Sequence, residues 1–353
     1  MNRVEYAMAV ETPELAVADE ATGQLLDYYR QMLFTRRFEL RCAEMYQRAK
    51  IGGYCHLNLG EEATVVGLMA ALEPRDYLFT NYREHGYALA RGIEPGRVMA
   101  ELFGKRTGVS GGYGGSMHLF DVKHRLLGGY AIVGGQIPLA TGAALAISYR
   151  GGDEVVMCQL GDGTTNIGAF HECANLAAIW RLPMVFAVVN NGLGMGSTVQ
   201  AVSAEPDLYK RAASYRMPGE RVDGNDVIAV RDAARRAVEC ARAEQQPCLV
   251  EAVSFRLRGH SVVDPAKYRS KEEVELAQQG DPLPAMRSRL IEAGMLEEQR
   301  ALRIEAEVDS EVAAAIEFAD QSDFPAVADL FAHTYATPVP NEHRHLPGEP
   351  VVS

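Results

Sequence analysis

The strongest constraint on the fold of this chain is an alternation of strand-like and helix-like segments between residues 154 and 255. Three apolar runs rich in β-branched residues, EVVMCQL, PMVFAVVN and PCLVEAVSF, alternate with helical segments such as VRDAARRAVECARA. Such alternation is typical of βαβ units, in which parallel strands are buried between helices. The sequence therefore predicts an α/β fold with a doubly wound, mostly parallel sheet and helices on both faces.

Further helices are predicted outside this region from apolar residues at helical spacing. They cover Leu25 to Gln47, the segments EEATVVGLMAAL and PLATGAALAISY, and a charged stretch after Asp281 that forms a helical C-terminal extension. We predict three parts: a poorly ordered leader over residues 1–24, one domain over 25–330, and a C-terminal tail over 331–353. We expect the extension to pack on the sheet or on a partner.

Composition narrows the classes of function. The formal net charge of −12 over 353 residues argues against a nucleic-acid-binding surface, which needs a basic patch. No apolar run reaches the roughly 18 residues that cross a bilayer, and the first residues lack the pattern of a signal peptide. The six cysteines are scattered without a CxxC pair, which favours buried thiols. We therefore expect a cytoplasmic protein that binds neither nucleic acid nor membrane.

Two polar turns flank one complete strand–helix–strand unit, LGDGTTNIGAFHECANLAAIWRLPMVFAVVNNGLGMGST, and indicate a ligand site. Asp162 follows the first strand and Asn191 the second, about 30 residues on, the length that a βαβ unit requires. In a doubly wound sheet, ligands bind beyond the carboxyl ends of the strands. Because a right-handed crossover brings both strand ends to one edge, we expect Asp162 and Asn191 to lie close together.

The residues of these turns suit a metal-bound phosphate. Carboxylate and amide oxygens are ligands for Mg²⁺, which completes its shell with phosphate and water. Gly161 and Gly163 allow a close backbone approach, and the amides of Gly163 and Thr164 face an anion if a helix begins there. The alternative is that GDG and NNG are ordinary turns, as most isolated examples are. Their occurrence together around one βαβ unit favours the site.

The GDG-to-NN segment resembles the thiamine-diphosphate signature, and GAFHECANLAAIWRLPMVFAVVNN resembles the alpha subunits of 2-oxo acid dehydrogenases. Several motifs occur in the order of that family, so the resemblance extends over about residues 27–320. It implies the thiamine-diphosphate-binding fold, the cofactors thiamine diphosphate and Mg, and a pyruvate dehydrogenase type of oxidoreductase.

The resemblance also implies roles for individual residues. The metal ligands are Asp162, Asn191 and the backbone carbonyl of Leu193, a position that is often Tyr in the family. The residues that contact the cofactor are Tyr82, Arg83, Ala131, Val133, Gly161, Asp162, Gly163, Thr164, Asn191 and His260. Of these, Tyr82 and Arg83 belong to NYREHG and contact the diphosphate, and backbone groups near Ala131 and Val133 bind the aminopyrimidine ring. Without the resemblance, an ion pair between Arg83 and Glu84 is the simpler interpretation.

Three histidines match family positions near the active-site channel. We favour a functional role most for His260, then for His56 and then for His118. An imidazole that titrates near neutrality suits proton transfer, and His260 lies in the family's mobile loop. Ser261 occupies a position that is phosphorylated in some relatives, whereas Val262 and Val263 replace polar residues of regulated ones. We interpret His85 and His171 as structural.

Ylide formation in this family needs a glutamate that the beta subunit supplies, and this chain has no second domain for it. The resemblance therefore implies two alpha and two beta chains, and a lipoyl-bearing acyltransferase that accepts the product of a small 2-oxo acid. Glu61 and Glu62 begin a predicted helix, where a carboxylate commonly complements the helix dipole. We do not assign either of them the role of the missing glutamate.

Three alternatives remain open. The chain could be an alpha subunit specific for branched-chain 2-oxo acids or for acetoin, although the run DPAKYRS resembles the pyruvate type. It could be a non-catalytic phosphate-binding module with the same fold. A NAD-binding Rossmann domain is disfavoured because no GxGxxG follows an early strand.

Overall fold

The computed structural model describes residues 22–332, and a six-stranded parallel sheet lies at its centre. Its strands are β1 Tyr77–Asn81, β2 Leu126–Tyr130, β3 Val156–Gly161, β4 Met184–Asn190, β7 Gly219–Asp223 and β8 Cys248–Val253. They lie in the order β2-β1-β3-β4-β8-β7. A separate two-stranded antiparallel hairpin is formed by β5 Leu193–Gly194 and β6 Ser197–Thr198.

Eleven α-helices of the described residues surround the sheet. They are α1 Thr22–Gln47, α2 Glu62–Met69, α3 His85–Ala90, α4 Pro95–Leu102, α5 Gln136–Arg150, α6 Gly168–Ile179, α7 Val199–Val202, α8 Val227–Glu244, α9 Lys271–Gln279, α10 Pro282–Glu292 and α11 Glu298–Gln321. Short 3₁₀ helices complete the chain, and the one over Asp162–Asn166 directly follows β3.

Side chains alternate between the two faces of the sheet, and each face has its own core. Met157, Val185 and Val250 pack with α1, α2, α4 and α8 on one face. Cys158 and Phe186 pack with α5 and α6 on the other. Because helices cover both faces, the central strands β3, β4 and β8 are mostly apolar on both faces rather than alternating. The predicted doubly wound α/β fold with a helical C-terminal extension is confirmed.

Local sequence explains where several helices begin and end. The carboxylate of Asp226 accepts hydrogen bonds from the amides of Ile228 and Ala229 and so caps α8. Ser270 and Glu273 form a capping box at the start of α9. Gly151 ends α5 with a φ of 69°, a left-handed conformation that glycine adopts without strain.

The termini differ in detail from the predicted boundaries. α1 begins at Thr22, inside the predicted leader, while the rest of that leader, residues 1–21, lies outside the described part. Most of the predicted tail, residues 333–353, also lies outside it. α10 and α11 pack mainly on α1 and α4, so the C-terminal extension rests on helices rather than on the sheet. Between residues 22 and 332, no helix is both long and apolar enough to cross a membrane.

Candidate active site

The carboxyl ends of β3 and β4 bring together the residues of the two polar turns. The strands pair in parallel, with Gly161 opposite Val189, so Asp162 and Asn191 both lie just beyond the same sheet edge. The end of β1 adjoins them, because a Cβ on Gly161 would lie 3.8 Å from Nδ2 of Asn81. The structure therefore juxtaposes the turns as the βαβ argument predicts.

Asp162 is a buried carboxylate, 5 % exposed. Burial raises its pKa to about 6, while hydrogen bonds from the backbone amides of Asp162 and Gly163 oppose the shift. The Gly163 amide therefore faces this carboxylate, and α6 begins only at Gly168, so Gly163 and Thr164 lie in the 3₁₀ helix. Both amides thus lie at the start of a helix, as predicted, although it is a 3₁₀ helix, and their facing an anion stays a prediction.

Asn191 is held by a second buried carboxylate. Its Nδ2 donates to Oε1 of Glu61 at 2.8 Å, and its Oδ1 accepts from the amide of Leu193 at 3.3 Å. Glu61 precedes α2 and makes no capping hydrogen bond, whereas Glu62 pairs with Arg36. Each carboxylate is buried against a specific side chain, and Glu62 lies in the first turn of α2, so a contribution to the helix dipole stays a prediction.

Arg83 donates to two backbone carbonyls rather than to its neighbour Glu84. Its Nη1 donates to the carbonyl of Leu57 at 2.5 Å and its Nη2 to that of His260 at 3.0 Å. Glu84 is fully buried and accepts from Thr80 and Leu119 instead, so the alternative interpretation, an Arg83–Glu84 ion pair, is not formed. The guanidinium lies 3.9 Å from Glu61 and retains donors for an anion.

His56, Tyr82 and His260 form a cluster of rings beside Arg83. The centroid of the His56 ring lies 4.4 Å from that of Tyr82 and 5.0 Å from that of His260. Burial, and then the charge of Arg83, lowers the pKa of His56 to about 2 and that of His260 to about 4. Nδ1 of each imidazole is buried without a hydrogen-bond partner among the described residues. Both rings are therefore neutral at physiological pH.

The segment after β8 closes over this cluster and is anchored by Arg256. This buried guanidinium donates to the carbonyls of Leu193 and Met195 at 3.3 and 2.9 Å and to the hydroxyl of Tyr268 at 2.8 Å. Tyr268 in turn donates to Asp264 at 2.5 Å. Burial, reinforced by Arg83, lowers the pKa of Arg256. The carbonyl predicted as the third metal ligand thus already accepts one hydrogen bond and keeps a second lone pair.

The remaining predicted positions lie around this centre. Ala131 is half-buried and Val133 is 47 % exposed, in a loop that packs against Thr164 through Gly134. Ser261 is buried in the segment after β8. Nδ1 of His118 lies 2.9 Å from the carbonyl of Gly129, near the end of β2.

Glu39, Cys42 and His85 place three potential metal ligands within 4.8 Å of one another in the core. Nδ1 of His85 contacts Glu39 at 2.9 Å and Nε2 contacts the hydroxyl of Ser116 at 2.8 Å. Since both nitrogens of His85 are engaged within the protein, this cluster is a structural network. His171 is exposed and contacts the hydroxyl of Tyr215.

The centre fits a metal-bound diphosphate by three observations. The oxygens of Asp162 and Asn191 are hard ligands suited to Mg²⁺, and Arg83 and Arg256 supply positive charge. Nδ1 of His56 and of His260 is buried and has no hydrogen-bond partner within residues 22–332. A Cβ on Gly161 or Gly163 would meet no described atom closer than 3.8 Å, so the backbone faces space that side chains could occupy.

Comparison with known proteins decides the family. The sequence profile of the family "Dehydrogenase E1 component" matches residues 30–328. The alpha subunit of the pyruvate dehydrogenase E1 component from Rhizobium meliloti is 45 % identical over 316 residues, 89 % of this chain and 91 % of that one. Its counterpart from Zymomonas mobilis is 44 % identical over 312 residues, 88 % of each chain.

This chain belongs to the dehydrogenase E1 component family. The family predicted from the GDG-to-NN segment is confirmed, and the relatives agree with the prediction of a pyruvate dehydrogenase type of oxidoreductase.

Two residues of this E1 chain were missed by the sequence argument. Glu61 begins a helix whose residues are all buried, and a carboxylate in such a place requires a partner. Arg256 follows the end of β8, which neighbours β4 in the sheet. The strand-end rule that selected Asp162 and Asn191 would have selected Arg256 as well.

Proposed function

We propose that this chain is the alpha subunit of a pyruvate dehydrogenase E1 component and that it binds Mg–thiamine diphosphate beyond the ends of β3 and β4. The observation that most supports the proposal is the placement of Asp162 and Asn191, two oxygen ligands at adjoining strand ends, beside Arg83. The family match over residues 30–328 supports the choice of cofactor.

In this proposal, Asp162, Asn191 and the Leu193 carbonyl hold Mg²⁺. Tyr82, Arg83 and the backbone around Gly161, Gly163 and Thr164 hold the diphosphate, and the loop with Ala131 and Val133 holds the aminopyrimidine ring. When bound, thiamine diphosphate supplies the reactive carbon and the electron sink for decarboxylation of a 2-oxo acid.

The side chains of the ring cluster would act on protons and on access to the site. His56 and His260 are weak bases in the cofactor-free chain, so each would hold a proton only beside an added negative charge such as the diphosphate, at the Nδ1 that has no partner among the described residues. The segment with His260 and Ser261 contacts Arg83 through the His260 carbonyl and would exclude water from the bound cofactor. We place His260 and His56 as the proton-handling groups and Ser261 beside the entering lipoyl group.

A beta subunit is proposed as the partner that completes the site, with two alpha and two beta chains in the assembly. The relatives are named alpha subunits, and apolar side chains beside the centre are exposed: Ile132 by 77 % and Met195 by 65 %. Exposed apolar groups at the mouth of a site suit burial by a second chain. A lipoyl-bearing acyltransferase would then take the acyl group.

We propose the cytoplasm as the compartment. All six cysteines are free thiols, and five of them are buried. Thiols persist where the environment is reducing, as in the cytosol.

The test is reconstitution of the full chain with a beta-type subunit and measurement of kcat/KM for pyruvate, a branched 2-oxo acid and acetoin. We expect the highest kcat/KM with pyruvate and no turnover by the chain alone. A preference for either other substrate would reject pyruvate but keep the enzyme class. No turnover by the pair with any substrate would reject the enzyme and favour a phosphate-binding module.

A further inference from the structure

Glu61 is a buried carboxylate that contacts the proposed metal ligand Asn191 but belongs to none of the motifs that identify the family. It is 2 % exposed and stands immediately before α2. Both of its oxygens accept hydrogen bonds from side-chain amides, Oε1 from Asn191 at 2.8 Å and Oε2 from Asn58 at 3.2 Å. Glu61 is therefore engaged through other side chains, and neither oxygen is free of a donor.

The contact with Glu61 determines which way the Asn191 amide faces. A carboxylate accepts hydrogen bonds and cannot donate one, so only the nitrogen of Asn191 can face it. The oxygen of Asn191 then lies on the opposite side, where it accepts the Leu193 amide at 3.3 Å and keeps a lone pair. If the Asn191 side-chain amide were reversed, its Oδ1 would face Oε1 of Glu61, and two acceptors would meet. Its Nδ2 would then stand where the oxygen ligand of the metal is needed.

Glu61 is itself fixed by the surrounding network. Nδ2 of Asn58 donates to Glu61 and to the carbonyl of Arg83, and Oδ1 of Asn58 accepts from the amide of Gly86 at 3.1 Å. The backbone amide of Asn58 donates to Oε1 of Glu39 at 2.9 Å. Each acceptor in this buried network thus has a defined donor. These hydrogen bonds fix the orientation of the Glu61 carboxylate.

From this geometry, we propose that Glu61 is a positioning residue for the metal site: it holds the Asn191 amide with Oδ1 presented to the cation. The proposal rests on the proposed function, since it concerns the same metal. Groups behind a metal ligand set its orientation, and removing one commonly weakens metal affinity about 10–100-fold.

The test measures Mn²⁺ affinity by electron paramagnetic resonance, with thiamine diphosphate present, in the full chain assembled with a beta-type subunit. We expect Glu61→Ala to weaken Mn²⁺ binding about 10–100-fold. Glu61→Gln keeps one acceptor oxygen, which can still face Asn191 while its nitrogen faces Asn58, and should weaken Mn²⁺ binding by only about threefold, since neutral acceptors are weaker than charged ones. Wild-type affinity in Glu61→Ala, or equal losses in both variants, would overturn the positioning role.

Glu62→Gln is the matched control. Glu62 is adjacent and equally buried, but it pairs with Arg36 and accepts from the amide of Gly60 rather than contacting Asn191. We expect this variant to lower the midpoint of urea unfolding and to leave Mn²⁺ affinity unchanged. A matching loss of Mn²⁺ affinity in Glu62→Gln would mean that general destabilisation explains the effect of Glu61.

An isosteric exchange decides the question even if Glu61→Ala does not fold. Asn191→Asp alone sets two carboxylates against each other, so we expect Mn²⁺ binding to be lost. Adding Glu61→Gln places an amide nitrogen opposite the new carboxylate at position 191, so one donor again faces one acceptor. The double variant should therefore recover most of the Mn²⁺ affinity. A double variant no better than Asn191→Asp would overturn the proposal, whereas absence of Mn²⁺ binding in the wild-type assembly would reject the proposed function itself.

Discussion

At the scale of single residues, the centre is defined by buried polar groups whose charges balance. The carboxylates of Asp162 and Glu61 lie among the guanidinium groups of Arg83 and Arg256, all of them buried. Buried charges are tolerated only when they are paired or bind an ion. The strand-end rule predicted Asp162 and Asn191 because it needs only the sequence order of strands. It could not predict Glu61, whose contact with Asn191 depends on how α2 packs against the sheet edge.

The two neutral imidazoles make stability depend on pH in the cofactor-free chain. His56 and His260 have folded-state pKa values of about 2 and about 4, below the 6.5 of an exposed histidine. The unfolded chain therefore binds protons that the folded chain does not, and stability present above pH 6.5 is lost as the pH falls. For each imidazole the loss approaches about 1.4 kcal/mol per pH unit within that window.

The measurement is the free energy of urea unfolding from pH 7 to about pH 5 for the wild type and for a His56→Gln/His260→Gln double variant. We expect the wild type to lose more stability than the double variant over this range. The comparison is needed because the pKa of Asp162 is raised to about 6 in the folded chain, so protonation of Asp162 adds stability as the pH falls below about 6. This gain opposes the loss that the two imidazoles cause. If the free energy of unfolding fell equally with pH in the wild type and the double variant, the two imidazoles would not be neutral in the folded chain. His171→Gln, at an exposed position, serves as the control.

At the scale of elements, the hairpin β5–β6 and the segment after β8 are joined by Arg256 and Tyr268. Arg256 binds carbonyls of the hairpin, and a Cβ on Gly196 would lie 3.0 Å from the Tyr268 ring. The hairpin carries the Leu193 carbonyl, and the segment carries His260. The proposed metal ligand and the proposed proton acceptor are therefore held by one network.

Tyr268→Phe tests this network by removing the hydroxyl that links Arg256 to Asp264. We expect amide hydrogen exchange over residues 258–269 to accelerate about 10–150-fold, since a lost hydrogen bond to a charged group destabilises by about 1.5–3 kcal/mol. Tyr149→Phe, at a position that is 91 % exposed, is the control. Unchanged exchange in Tyr268→Phe would show that the hydroxyl does not order the segment.

The sequence predicted the strands whose apolar runs are long and missed the strands whose apolar runs are short. β3, β4 and β8 are buried and uninterrupted, whereas β2 contains two glycines and β7, at the sheet edge, reads GERVD and is mostly half-buried. The charged stretch after Asp281 forms two helices rather than one. Gly294, with a φ of 68°, lies between the end of α10 and the start of α11.

At the scale of the whole molecule, the proposed site combines polar groups in the interior with apolar side chains at the surface. The carboxylates, the arginines and His56 of the centre are buried and His260 is half-buried, while Ile132 and Met195 beside them are exposed. The sequence alone predicted the family and the need for a second chain by resemblance. The shape of the substrate pocket could not follow from it, because residues of that second chain are proposed to form part of the pocket.

The central claim, that Asp162 and Asn191 anchor a metal-bound diphosphate, is tested most directly by calorimetric titration of thiamine diphosphate. The full chain, assembled with a beta-type subunit, is titrated with and without Mg²⁺, beside the Asp162→Ala variant. We predict binding by the wild type that requires Mg²⁺, and a loss of at least about 100-fold in affinity when the Asp162 carboxylate is removed, since one buried charged ligand accounts for about 3 kcal/mol. Equal affinity without Mg²⁺, or an unchanged affinity in Asp162→Ala, would contradict the claim.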